Sequence, residues 1–253
     1  MIFDLQKAGI WKRASAWLFD FILFTILAVG GAFLISLITG YERYGQDLET
    51  QYAAYEAEYG VSFRVSEEDY NAMDEAGRKR YDEAYQALIA DEAVLRNYNM
   101  MLSLTLLMIS LGILVSVLIL EFLIPLKLGD GRTLGKRIFG LGVMRTNSVR
   151  VTTAALFIRA FLGKYTIEIM IPVLIFVMIY FNQIGVVGAA VLLLILLVQI
   201  GVMIATRTNS AIHDLLADTV VVDYASQMIF PDEEALLAAK KKAAAEKASR
   251  SVY

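Results

Sequence analysis

One aspartate stands within a long apolar stretch near the N-terminus. Asp20 is the only charged residue between Ala14 and Thr39. A carboxylate inside an apolar span is costly, and such residues commonly bind ions, relay protons or pair with a cation. Arg13, Trp17 and Asp20 are spaced by four and three residues, so they share one face of a helix. Two interpretations follow: Asp20 binds a monovalent cation or a proton while Arg13 tunes its charge, or the two residues form an ion-paired latch.

Two further carboxylates are predicted at a similar depth. Glu121 precedes Lys127 by six residues, and Glu168 follows Lys164 by one helical turn. If the helices form a bundle, these acids can converge with Asp20 in one layer and bind a cation or relay a proton. For Glu121 and Glu168, a structural or interfacial role is the preferred alternative. The basic residues expected around this layer are Arg13, Arg137, Arg159 and Lys164.

A histidine and an aspartate, His213 and Asp214, directly follow the last apolar stretch. An imidazole beside a carboxylate is typical of a proton acceptor or a metal ligand. Because the chain has one histidine and no cysteine, a metal site here is disfavoured. No nucleotide-binding, hydrolase or metalloprotease motif accompanies these residues. We therefore predict no enzyme activity, no cofactor, no metal and no nucleic-acid partner.

Apolar stretches must position these residues. The stretches 100–120 and 169–206 hold no charge, and a bilayer core of roughly 30 Å needs about 20 apolar residues of helix. The last stretch is long enough for two spans and breaks at Asn182-Gln183. The sequence thus predicts an all-α membrane protein with four transmembrane helices, a helical extracytoplasmic hairpin and a small cytoplasmic β element. The predicted spans are residues 16–38, 99–124, 166–181 and 184–205.

Charge is distributed unevenly between the segments that connect the spans. Residues 41–97 carry 14 acidic and 6 basic residues, whereas residues 125–165 carry 8 basic residues and Asp130 alone. By the positive-inside rule, both termini and the 125–165 loop are cytoplasmic and residues 41–97 are extracytoplasmic. We expect a multi-pass protein of the plasma (inner) membrane, with an uncleaved first span rather than a signal peptide.

The connecting segments carry their own local patterns. Residues 41–97 predict a tyrosine-rich helical hairpin, either a small solvated domain or a cap that collects cations or binds a partner. Leu141–Thr146 and Val149–Thr153 predict a short β-hairpin, which Thr219–Val222 can join. Leu156–Lys164 is amphipathic, and we expect its Arg159 and Lys164 to face the lipid head groups. The charged tail is residues 225–253, and its part after Pro231 predicts a solvent-exposed helix.

Three motifs resemble those of the RDD family of membrane proteins, named for one arginine and two aspartates. They are AGIWKRASAWLFD at 8–20, TLGKRIFGLGV at 133–143 and HDLLADTVVV at 213–222. With the spans that lie next to these motifs, the resemblance covers residues 5–40 and 99–223. The resemblance assigns two of the naming residues to Arg13 and Asp20 and the third to Asp214. It also places Arg159 where the family commonly has an arginine. The motif residues on the cytoplasmic side are Gly135, Lys136, Arg137, His213, Asp214 and Thr219.

The chain departs from the family pattern at a few positions. Leu134 stands where the family usually has proline, Asp218 where it has glycine, and Asn147-Ser148 where Asp-Gly often forms a turn. The resemblance implies transport of an undefined ligand, with sodium–proton exchange in some members. The domains expected are 1–40, the acidic insertion 41–97, the RDD-like core 98–224 and the tail 225–253.

Two hypotheses for function remain from this evidence. The first is transport of cations, protons or another small solute by Asp20, in a form that is a homo-oligomer because four spans are few for a transport path. The alternative is a membrane scaffold or accessory protein whose hairpin or cytoplasmic face binds a protein partner. Transport predicts that Asp20→Asn abolishes flux in an inserted protein, whereas scaffolding predicts a change in abundance or partner recovery.

Overall fold

The computed structural model describes residues 5–181 and 183–250, so Asn182, half of the predicted break between the last two spans, lies outside the described residues. The chain is largely helical and carries one two-stranded sheet, which confirms the predicted fold class. The helices, with π1 and π2 wound as π-helices, are α1 Ile10–Thr39, α2 Tyr41–Tyr59, α3 Glu67–Ala72, α4 Glu75–Ala90, α5 Glu92–Val117, π1 Leu118–Leu123, α6 Ile124–Leu128, α7 Leu134–Ile138, α8 Thr153–Phe157, π2 Ile158–Met170, α9 Ile171–Tyr180, α10 Gly185–Ala205, α11 Ile212–Leu216 and α12 Glu233–Arg250. The strands are β1 Leu141–Arg145 and β2 Thr219–Asp223.

Among the residues that the structure describes, four continuous helices are long and apolar enough to cross a membrane, as predicted. They run Ile10–Thr39, Glu92–Leu128, Thr153–Tyr180 and Gly185–Ala205. The first three are longer than the predicted spans, because each continues as a helix through the polar residues that flank its apolar segment. Charged residues therefore lie on the same rigid helices as the apolar residues.

The second and third spans each contain a π-helical segment that ends just before a proline. At the end of π1 the Ile124 N–H donates to Ile119 O, and at the end of π2 the Ile171 N–H donates to Thr166 O. The next residues are Pro125 and Pro172. Proline has no N–H to donate, so one carbonyl of the preceding turn loses its helical partner at the point where the winding changes. Normal α-helix resumes in α6 and α9.

The two strands pair antiparallel, with Leu141 opposite Asp223 and Arg145 opposite Thr219. The predicted hairpin of Leu141–Thr146 with Val149–Thr153 is therefore wrong in its second strand. After a tight turn at Ser148, only an isolated bridge joins Met144 to Arg150. Thr152 then caps α8 by accepting a hydrogen bond from Ala155 N, so the chain enters a helix instead of extending the sheet.

The chain divides into two compact units, one comprising the chain up to Ala28 together with that from Ile113 onward, the other Val29–Gly112. In the first unit, Ala16 of α1 packs with Leu141 and Val221 of the two strands. We call the sheet with α7 and α11 the platform. Leu236 of α12 packs against Val149 and Phe230, which fastens the tail helix to the same unit.

The second unit is built around the acidic insertion. Gly60 ends α2 in the left-handed conformation, and Ser66 starts α3 with a capping box that includes Asp69. Tyr81 packs edge-on against Phe63 and Tyr70, so aromatic rings form the interior between the short helices. The insertion therefore folds as packed helices with a solvated acidic surface.

Candidate functional site

Charged residues of the first unit form one connected cluster at the junction of the spans with the platform. We call it the charge network. It joins the first three spans to α7 and α11, two short helices outside the spans. Its members are Arg13, Asp20, Glu121, Lys136, Arg159, Lys164, Glu168, His213 and Asp214.

Asp20 fastens α1 to α7. Its carboxylate accepts hydrogen bonds from the Thr133 hydroxyl and, at 2.7 Å, from the Gly135 N–H, while Lys136 Nζ lies 3.9 Å away. The helices approach so closely that a Cβ on Gly135 would lie 2.3 Å from Ala16 O. Glycine is therefore required here, and the Asp20 carboxylate is occupied by the first turn of α7.

Arg13 fastens the same helix to the segment that follows α10. Its guanidinium donates to Thr208 O at 2.8 Å and to Asn209 O at 2.7 Å. Asn209 adopts a left-handed backbone, φ 52°, which turns the chain beneath α1. No ion pair joins Arg13 to Asp20 among the described residues, so the latch predicted between them does not form. Each residue instead ties α1 to a different segment.

Glu121 of π1 and Lys164 of π2 form a partly buried ion pair that joins the second and third spans. Lys136 of α7 is close enough to feel both charges. Burial and then the Lys164 ammonium lower the pKa of Lys136 to about 8, partly opposed by Glu121. Lys136, within the charge network, therefore loses its proton more readily than an ordinary lysine.

His213 lies between a carboxylate and a guanidinium. Its Nδ1 lies 2.8 Å and 2.9 Å from the two Glu168 oxygens, and its Nε2 lies 3.2 Å from Arg159 Nη2. A carboxylate only accepts and a guanidinium only donates, so the neutral imidazole with its proton on Nδ1 satisfies both contacts. Burial lowers the pKa of His213, and Arg159 adds to this effect, against the opposing pull of Asp214 and Glu168.

Asp214 is the most buried carboxylate of the charge network, 1% exposed. It pairs with Arg159 Nη2 at 2.9 Å and accepts from the Thr219 hydroxyl at 3.1 Å. Burial opposes its ionisation, but the Arg159 guanidinium holds the pKa of Asp214 low, at about 2. Through Thr219 the carboxylate also fixes the start of β2 to α11.

The π-helical winding places the charges of the third span on one face. Arg159 and Glu168 are nine residues apart, which is two and a half turns of α-helix at about 3.6 residues per turn and would put them on opposite faces. In a π-helix, nine residues make about two turns, so both side chains point the same way. The outward positions Phe157, Leu162 and Thr166 repeat at five and four residues, as this winding requires. One imidazole can therefore contact both residues.

These contacts unite the three motifs that the sequence presents separately. A family model, the RDD family, matches residues 7–218. The chain belongs to the RDD family. No curated protein and no solved structure matches the chain. Arg13, Asp20 and Asp214, the residues that the motif resemblance assigns to the family name, all lie in the charge network.

The structure places the other candidate residues of this RDD protein in distinct environments. Arg159 and Lys164 turn inward to Asp214 and Glu121, so the prediction that they face lipid head groups is wrong. Arg137 is half-exposed and lies 3.8 Å from Asp130, outside the charge network.

The three carboxylates do not share one ligand site. Asp20 is held by α7, Glu121 by Lys164 and Glu168 by His213. Within residues 5–181 and 183–250, no three histidine or acidic side chains are placed to hold a metal ion. The arrangement is instead an alternation of acids and bases, which suits proton exchange better than binding of a bare cation.

Several residues that shape the site were missed from the sequence. Thr133 supplies a hydrogen bond to Asp20, and Gly163 lets π2 approach α11, since a Cβ there would lie 2.5 Å from His213 Cβ. Gln199 of α10 donates to Glu168 at 3.3 Å. The two in-span prolines were the available signal that helix winding changes near the charges.

At two departures from the family pattern, the chain keeps a backbone that glycine would favour. Asp218 has φ 51° and Ser148 has φ 68°. The Asp218 carboxylate accepts from the Thr146 hydroxyl and from Arg145 Nη2, which offsets the cost of a left-handed non-glycine residue. The closing motif therefore retains its turn despite the substitution.

Proposed function

We propose that this RDD protein couples proton binding at His213 to movement of a cation or another small solute across the membrane. The observation that carries the proposal is the buried imidazole held between Glu168 and Arg159 at the junction of the spans with the platform. Histidine changes charge near neutral pH, so it is suited to take up and release a proton during a transport cycle.

The charge balance of the network supports this assignment. With His213 neutral, four basic residues face four acidic residues. They are Arg13, Lys136, Arg159 and Lys164 against Asp20, Glu121, Glu168 and Asp214. A proton on His213 adds a positive charge that no further acid neutralises, so proton binding must change the contacts around the ring. Such a change can be passed to the spans that carry Glu168 and Arg159.

The charge asymmetry of the sequence gives the proposed orientation. The basic segment 125–165 and the platform face the cytoplasm, and the acidic insertion lies outside. His213 would then exchange its proton with the cytoplasm. Because four spans are few for a transport path, we propose that the transporting form is a homo-oligomer.

Purified protein in liposomes tests the proposal. Internal pH would be followed with a trapped dye under sodium, lithium or potassium gradients. His213→Gln keeps one donor and one acceptor for Glu168 and Arg159 but cannot titrate, so we expect it to insert normally and to lose cation-dependent proton movement. Glu49→Gln, which removes an exposed carboxylate of the insertion, is the matched neutral control. Equal flux in His213→Gln and the native protein would refute the proposal.

A role as a non-transporting accessory protein is the second candidate. It is favoured by the exposed apolar side chains Tyr85 and Ile89 on α4, which suit contact with a protein partner. The absence of flux from well-inserted native protein, together with loss of a co-purifying partner in Tyr85→Ser/Ile89→Ser, would support this role over transport.

A further inference from the structure

The second ring nitrogen of His213 faces two groups of opposite kind. Arg159 Nη2, a donor, lies 3.2 Å from Nε2, and Asp214 Oδ2, an acceptor, lies 3.6 Å from it. The first nitrogen, Nδ1, faces the Glu168 carboxylate at 2.8 Å. The imidazole therefore bridges two carboxylates, one on the third span and one on the platform, with a guanidinium placed beside one of its nitrogens.

The position of Arg159 decides what Nε2 can do. While the guanidinium donates to Nε2, the ring lone pair is occupied and a proton arriving there would face another donor. If the guanidinium withdraws, Nε2 can take a proton and donate it toward Asp214, which needs to approach by only a few tenths of an ångström. Arg159 thus controls whether the second carboxylate is available to the ring.

Arg159 is also an incompletely bonded member of the charge network. Arg159 is 3% exposed, and its Nη1 atom is buried without a hydrogen-bond partner among the described residues. An unsatisfied buried donor carries a free-energy cost, and the cost is larger when the donor is charged. This cost makes the observed position of the guanidinium easier to leave than that of a fully bonded arginine.

We propose that Arg159 gates a proton relay that runs through His213 to Glu168, with Asp214 as the acceptor that holds the ring once the gate is open. With the gate open, a proton from a hydronium ion binds Nε2 and forms a new N–H bond. The Nδ1–H bond then breaks as its proton passes to a Glu168 oxygen. The ring ends as the neutral Nε2–H tautomer donating to Asp214, and Glu168 ends as a neutral carboxylic acid. The products are one water molecule, the Nε2–H form of the ring and a protonated Glu168, so every proton of the starting hydronium ion and ring is accounted for.

Other charged and polar groups surround the relay on each side. Arg13 of α1 and Lys136 of α7 act on Asp214 and favour its ionised form. Lys164 of π2 lies within electrostatic reach of Glu168, and Gln199 of α10 donates to it. Asp214 is therefore stabilised as an anion, and its carboxylate can accept a hydrogen bond from Nε2–H once Arg159 moves.

The single histidine allows a direct test. Nitrogen-15 NMR of protein labelled only at histidine reports the tautomer and the protonation of His213 in lipid bilayers, with no signal from another residue. In the native chain at neutral pH we expect the Nδ1–H tautomer with an unprotonated Nε2. Detection of the neutral Nε2–H tautomer, or of a doubly protonated ring at neutral pH, would overturn the proposal without any variant.

Variants of the gate give the second part of the test. Arg159→Gln removes the cation beside Nε2, and we expect the ring to protonate at higher pH, with a new Nε2–H signal. Arg159→Lys, which restores a positive donor, should return the titration toward native. Arg150→Gln, an exposed arginine outside the charge network, should leave it unchanged. An unchanged titration in folded Arg159→Gln would show that Arg159 is no gate.

This inference extends the proposed function, but its readout is the imidazole and not flux. If the ring titrates as described and liposomes show no transport, the gate exists and the transport assignment fails. If transport is present and the ring is insensitive to Arg159, the gate fails and the transport assignment stands.

Discussion

Replacing Gly135 by alanine tests the contact that fastens the first span to the platform. The added Cβ would lie 2.3 Å from Ala16 O and 2.8 Å from the Asp20 carboxyl carbon. Both obstacles are fixed by α1, one of them through its backbone, so α7 has to retreat by about 1 Å to restore an ordinary contact. That retreat lengthens the 2.7 Å hydrogen bond from Gly135 N–H to Asp20 beyond bonding distance.

The expected loss of stability has two parts. Overpacking of a close contact costs about 1–3 kcal/mol, and a hydrogen bond to a charged group contributes about 1.5–3 kcal/mol. Together they predict a loss of roughly 2.5–6 kcal/mol in the free energy of unfolding. For a chain of this size, each kcal/mol corresponds to about 2–4 °C in Tm, so we expect Tm to fall by at least about 5 °C.

Thermal unfolding in detergent, followed by tryptophan fluorescence, provides the assay. Both tryptophans, Trp11 and Trp17, lie on α1 next to the contact. Gly9→Ala is the matched control, because a Cβ at Gly9 meets nothing within 4 Å. If Gly135→Ala unfolds at the same temperature as Gly9→Ala, the close approach of α7 to α1 and the role assigned to Asp20 are both wrong.

Three further predictions concern the rest of the charge network. Gly163→Ala should separate π2 from α11 and lower stability, because the added Cβ would lie 2.5 Å from His213 Cβ. Gly201→Ala adds a Cβ in open space and should leave stability unchanged, and thermal unfolding of the two variants tests the difference. Because burial lowers the pKa of His213 in the folded protein, the unfolded chain binds more protons below the ordinary histidine pKa. Stability should therefore be fully present well above about pH 6.5 and fall as the pH drops below that value, and denaturant titrations of His213→Gln should show a flatter profile on this acid side. Lys164→Met should destabilise the protein by up to about 3–5 kcal/mol by leaving the partly buried Glu121 without its ion-pair partner, whereas Glu121→Gln/Lys164→Met should recover much of that loss. Equal losses in the single and double variants would contradict the ion pair.

The spans were predictable because long apolar runs have few alternatives in a membrane protein. The partners of the charged residues were less so. Assuming uniform α-helix puts Arg159 and Glu168 on opposite faces, and only the π-helical winding brings them to one histidine. The pairing of Lys164 with Glu121 depends on how two spans approach each other, which residue spacing along one chain does not determine.

The strand assignment failed for a different physical reason. Val149–Thr153 has the β-branched composition of a strand, but Thr152 also caps a helix, and the hydrogen bond to Ala155 N decides in favour of α8. The strand that does pair with Leu141–Arg145 comes from the far end of the chain. Local propensity identified both segments, and tertiary contact selected between them.

The length of α1 changes how the depth of Asp20 is understood. Twenty residues run from Asp20 to Thr39, which is enough helix to cross a hydrocarbon layer of roughly 30 Å. The residues of α1 before Asp20 then stand in the head-group region, where both tryptophans of the chain also lie and where tryptophan is commonly found. On this placement, which we infer from helix length, Asp20 lies at the dielectric boundary with α7 packed against it, and its carboxylate need not be dehydrated by lipid. The residue that looks most isolated in the linear sequence is thus a surface anchor that sets how far this helix is drawn into the bilayer.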